Sequence, residues 1–115
     1  MKNFTLYITA LLLVACVQTA SDKDHIQGTW ISDDDPQSSI VFEENVMRSS
    51  YGNTEQSSEV FEISDTLPGS NSAVQGPYII VHSEDEPFTY AILELNKKEL
   101  TLMFLPRGNK LMYSR

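Results

Sequence analysis

Phe88-Thr89-Tyr90-Ala91-Ile92-Leu93-Glu94-Leu95-Asn96-Lys97-Lys98-Glu99-Leu100-Thr101-Leu102-Met103-Phe104-Leu105 decides the fold. Two runs rich in aromatic, aliphatic and β-branched residues flank the polar turn Asn96 to Lys98, the pattern of two antiparallel strands joined by a short connection. In the second run Leu100, Leu102 and Phe104 alternate with Thr101 and Met103, so one face is apolar at a period of two.

The same grammar extends in both directions. Further strands are predicted at Gly28 to Ser32, Ser39 to Glu43, Val46 to Tyr51, Ser58 to Ser64, Tyr78 to Ser83 and Lys110 to Ser114, giving eight with Phe88 to Leu95 and Glu99 to Leu105. Between them lie Asp33 to Gln37 with its Pro, Glu44-Asn45, Gly52-Asn53, Glu84 to Pro87 and Pro106 to Asn109, all turn formers. Thr66 to Gly76 is too poor in apolar residues to add a strand. No long amphipathic helix is visible, and neither is an internal repeat. Eight short antiparallel strands in sequence can close as an up-and-down barrel or stack as a β-sandwich. Closure is expected because it removes the exposed edges that invite aggregation.

Alternation points Trp30, Ile40, Phe42, Met47, Tyr51, Phe61, Ile63, Ile79, Val81, Leu93, Leu95, Leu100, Leu102, Phe104, Leu111 and Tyr113 inward, and puts Tyr78, Ile80, Tyr90 and Ile92 on the other face. At about 1.5 to 3 kcal/mol per large buried side chain, such a core can offset the ordering entropy of one small domain. No disulfide can contribute within the chain, because Cys16 is the only cysteine, and sites built from several thiolates are excluded with it.

Ahead of the strands, Met1-Lys2-Asn3 is followed by an apolar run, Phe4 to Ala15, of about a dozen residues, too short for a membrane-spanning helix of about 20. Leu13-Val14-Ala15-Cys16 resembles the lipobox of bacterial lipoproteins. The resemblance implies cleavage before Cys16, acylation of its thiol and new N-terminus by chains such as palmitate, and anchorage in the bilayer. At about 0.8 kcal/mol per buried methylene, two or three such chains hold a small domain firmly. The expected organisation is a signal peptide over 1–15, a lipidated cysteine and tether over 16–27, and one β-domain over 28–115. Val17, rather than Asp, after the cysteine lacks the inner-membrane retention signal of some bacterial lipoproteins, which points to the outer membrane of the cell envelope.

The first strand opens Ile26-Gln27-Gly28-Thr29-Trp30 and resembles the opening strand of lipocalins and other calycins. In that family a Gly-x-Trp motif enters the barrel, the Trp plugs the closed end and an Arg near the last strand covers the indole. Gly28 and Trp30 match the motif, and Arg115 is the candidate covering cation. A lipocalin's Thr-Asp-Tyr motif and C-terminal helix are not visible, so the resemblance is to small lipocalin-like bacterial lipoproteins. It implies a small hydrophobic or amphipathic ligand among Trp30, Phe42, Tyr51, Phe61 and Phe104.

Charge argues for a second function class. The chain has 16 acidic and 8 basic residues; without Lys2 the count is 7 basic against 16 acidic, a formal charge of about −9. Nucleic acid is excluded as a partner, since the only adjacent basic pair is Lys97-Lys98. In a meander, alternate loops share one end, gathering Asp33, Asp34, Asp35, Glu55, Glu84, Asp85 and Glu86 against Arg107. Such a rim repels carboxylates and suits a basic protein partner, as for an envelope inhibitor or interaction module. It does not read as a metal site: consecutive acids diverge, and no Asp-x-Asp-x-Asp-Gly loop is present. No catalytic motif accompanies His25 or His82, so neither an enzyme nor a cofactor is expected.

Overall fold

The computed structural model describes residues 21–67 and 74–115. The signal peptide, Cys16 and the lipobox lie outside the described residues, as do residues 68–73 of the long loop. Eight antiparallel strands follow a short helix α1 (Asp22–Ile26): β1 (Gly28–Ser32), β2 (Ser38–Glu43), β3 (Val46–Tyr51), β4 (Thr54–Ser64), β5 (Tyr78–His82), β6 (Phe88–Leu95), β7 (Glu99–Phe104) and β8 (Asn109–Ser114). They pair in sequence order into a closed barrel. A sandwich is ruled out by the seam, where Ile31 faces Ser114 and Ser32 faces Tyr113, extended by the Asp33 N–H donating to Met112 O at 2.9 Å.

The inner face carries the core. Trp30, Ile79, Leu100 and Leu102 are fully buried, and Ile40, Phe42, Met47, Phe61, Val81, Ile92 and Tyr113 pack with them. Phe42 and Phe61 meet edge to face, with ring centroids 5.2 Å apart.

Four expectations are corrected. Leu93 is not a core residue but 40 % exposed, whereas Tyr90 and Ile92 pack on the core. The cause is a bulge: Ile92 faces Leu102 but Glu94 faces Thr101, so the register slips by one and Leu95 returns to the inside. Tyr51 ends β3 and is 47 % exposed, outside the core. Glu55 belongs to a strand rather than a loop, because β4 starts at Thr54 after a register shift between Ser49 and Ser50; it lies 3.7 Å from Arg48, which also pairs with Glu43.

The fourth concerns the tether, which does not reach residue 27. Ser21 caps α1 in a reciprocal box, its hydroxyl accepting from the Asp24 N–H and its N–H donating to the Asp24 carboxylate, both at 3.3 Å. Ile26 is fully buried in the core cluster, so the folded body starts seven residues before β1 at Gly28. Gln27 fastens this segment to the β2–β3 turn: its amide donates to Glu44 O at 2.9 Å and accepts from the Glu44 N–H at 2.7 Å. That clasp holds Glu44 at φ 57, a left-handed conformation unfavourable for a residue with a Cβ.

On the outer face Tyr78 is buried nonetheless, its hydroxyl donating to Val74 O at 2.6 Å, and Ala91 opposite it is fully buried. Among the described residues no helix is long and apolar enough to cross a membrane.

Candidate functional site

The two ends of the barrel differ in kind. At the end where α1 and the C-terminus meet, Trp30 fills the interior and its indole N–H donates to Ile26 O at 2.8 Å. The Arg115 guanidinium carbon stands 3.9 Å from the indole centroid, and its nitrogens donate to Gln27 O at 2.6 Å, Lys97 O at 2.8 Å and His25 O at 3.0 Å. One planar cation thus joins α1, the α1–β1 link at Gln27 and the β6–β7 turn over the indole face of Trp30. Gly28 permits this: its φ is +118°, and a Cβ there would come within 3.1 Å of the guanidinium. Arg115→Ala is expected to cost about 1 to 3 kcal/mol through its charged hydrogen bonds, with Arg115→Lys recovering only part, read as a fall in the urea midpoint at unchanged slope.

The opposite end is open. Here the inner face of β2, β3 and β4 turns polar, and Ser38, Ser49, Ser57 and Glu59 replace aliphatic residues. The register explains the grouping: Met47 faces Glu59, Ser49 faces Ser57, and Ile40 faces Ser49 across the next ladder. The Ser49 and Ser57 hydroxyls are 2.6 Å apart and bonded to each other. Phe88, Tyr90, Val81 and Tyr113 form the far wall, and together these groups enclose a pocket of about 110 Å³. Phe104, the cross-strand partner of Tyr90, stands beside that wall, its ring centroid 5.4 Å from Tyr90 and 5.8 Å from Phe88.

Glu59 is the one acidic side chain in the pocket lining. It is half-buried and makes no hydrogen bond or ion pair with any described residue. Burial raises the Tyr90 phenol above its ordinary pKa, and the negative charge of Glu59 adds to this. Tyr113 is pushed up to about 12 by burial first and by Tyr90 second. Both phenols therefore stay neutral at physiological pH.

Above the pocket, the closed order brings the β1–β2, β3–β4, β5–β6 and β7–β8 turns to this same end. They carry Asp33, Asp34, Asp35, Glu84, Asp85 and Glu86 against Arg107. The rim is partly braced: Asp33 accepts from the Ser114 hydroxyl at 2.6 Å, and Asp35 accepts from the Gln37 N–H at 3.1 Å. The neighbouring Asp35 carboxylate, as hydrogen-bond acceptor and as negative charge, raises the Tyr51 phenol above its ordinary pKa. Among the described residues no three His, Cys, Asp or Glu side chains converge on a point that could hold a metal ion.

The five aromatics expected to share a ligand are thus dispersed. Trp30, Phe42 and Phe61 are 0, 1 and 2 % exposed in the packed half, Phe104 stands beside the pocket wall, and Tyr51 sits on the rim. Sequence reasoning missed Glu59 and the serines, although Glu59 has the same parity as Phe61 and Ile63 and so shares their face. His82 lies 3.7 Å from Glu62 across β4 and β5, away from the pocket. Comparison with protein-family models, with curated proteins and with solved structures finds no match to this chain.

Proposed function

We propose that this chain is a non-catalytic lipoprotein of the bacterial cell envelope, acylated at Cys16 and held at the outer membrane, that meets a basic protein partner through the acidic open end of its barrel. The observation that carries the reading is the division of the interior: one half filled by Trp30, Phe42 and Phe61, the other opening as a polar pocket beneath six carboxylates. A basic partner gains from that field before contact and from neutralising it afterwards.

Carriage of a small hydrophobic or amphipathic molecule inside the barrel, the other reading open to the sequence, calls for a cavity of roughly 300 Å³ or more. The pocket of about 110 Å³ among serines and Glu59 favours a polar contact instead. Kinship with small lipocalin-like lipoproteins is supported by Gly28 and Trp30 in β1, by the eight-stranded closure and by the stacking of Arg115 on Trp30.

The test is association of the full chain, in a nonionic detergent, with basic envelope proteins, lysozyme-type enzymes first. Binding should weaken steeply as salt rises, and replacing Asp33, Asp34, Asp35, Glu84, Asp85 and Glu86 by their amides should slow association by about tenfold or more. Association that ignores salt and survives the six replacements would move the contact to another surface.

A further inference from the structure

We propose that the mouth pocket is a site for the ammonium end of an alkylamine, with Glu59 as its counter-ion. Alternation calls for an apolar residue at position 59, between core residues Met47 and Phe61 on the same face. A half-buried carboxylate without a partner there lowers stability, and departures of that kind are expected where a site is built. The groups around Glu59 suit an ammonium rather than another ligand. Ammonium has three donors and no acceptor, and the pocket offers a carboxylate together with the hydroxyl oxygens of Ser38, Ser49 and Ser57. An anion would face an uncompensated carboxylate beneath an acidic rim. Calcium would need six to eight oxygens, mostly charged or carbonyl, where one carboxylate is present.

Size and walls fit as well. A space of about 110 Å³ holds on the order of four water-sized groups, the scale of a short alkyl chain ending in nitrogen. Met47, Val81 and the rings of Phe88 and Tyr90 line it for the methylenes, and an aromatic face is itself attractive to a cation. Two sources present this chemistry: a lysine side chain of a protein partner, or a free amine. The first source rests on the reading of the acidic end as a docking surface; the site itself does not.

The experiment titrates the isotope-labelled full chain with n-butylammonium, with Nα-acetyl-lysine methylamide, and with the uncharged Nα-acetyl-norleucine methylamide. The Glu59 carboxyl carbon resonance should move with the two cations and stay still with norleucine, while that of Glu62, on the outer face of the same strand, stays still throughout. Glu59→Gln should weaken both cations at least tenfold, and Glu62→Gln should leave them within twofold. The resonance measurement on the unaltered chain decides the matter even if Glu59→Gln disturbs folding. Norleucine binding as well as lysine, or no movement at Glu59, would overturn the proposal. Two mixed results separate it from the function proposed above. Cations at Glu59 with basic proteins indifferent to the mouth would leave the site standing with a free amine as its source. Basic proteins bound through the rim with no dependence on Glu59, and no amine in the pocket, would overturn the site and leave the docking surface.

Discussion

Trp30→Ala is expected to cost about 3 to 5 kcal/mol of unfolding free energy, against a total of about 5 to 15 kcal/mol for a domain of this kind. Three losses coincide at the fully buried indole. Its volume is removed from the closed half of the barrel, Ile26 O loses the donor 2.8 Å away, and Arg115 loses the ring 3.9 Å beneath it. The surroundings cannot collapse easily into the space, because Arg115 is tied to α1 and to the segment that follows it through the carbonyls of His25 and Gln27. Trp30 is the single tryptophan of the chain, so unfolding must be followed by circular dichroism. Trp30→Phe restores most of the volume but no donor, and it should recover more than half of the loss. Equal costs for Ala and Phe would show that the hydrogen bond, rather than packing, holds that end closed.

Cys16→Ser is expected to move the protein from the membrane fraction to the soluble fraction almost completely. The reasoning is additive: each acyl chain contributes about 0.8 kcal/mol per buried methylene, one chain holds a protein only marginally, and two or three hold it stably. Among the described residues no helix is long and apolar enough to cross a membrane. Fractionation with metabolic palmitate labelling reads the effect, and the mature mass reports cleavage before residue 16. A Cys16→Ser variant that remains membrane-bound would assign the attachment to another element.

Much of the barrel was legible because its strands are short, alternating and separated by turn formers. β1, β3 and β6 occupy the residues expected from pattern alone, and closure followed from the liability of open edges. What was not legible depends on events that leave little trace in composition. The bulge after Ile92 reverses parity within β6, so strict alternation puts Tyr90 and Ile92 on the wrong face and Leu93 in the core. The shift at Ser49/Ser50 lengthens β4 and takes Glu55 out of the loops. Ser21 and Asp24 did carry the signature of a cap, but a helix of five residues has too little periodicity to stand out. The pocket was hidden for a different reason. Serines and a glutamate at inward positions read as solvent-facing residues until a closed sheet decides which side is inside.

On the proposal that Cys16 is acylated, the position of α1 also sets how the barrel would stand on the membrane. Because Ser21 already belongs to the folded body and α1 packs against the end closed by Trp30, five peptide units separate an acylated Cys16 from that end. Fully stretched, they reach at most about 18 Å. With Cys16 acylated as proposed, the plugged end would be leashed close over the lipid headgroups, and the barrel axis would carry Glu59 and its acidic turns to the side that looks away from the bilayer. An anchored molecule of this build works as a short post, with its receptive face outermost and a radius of search set by five residues.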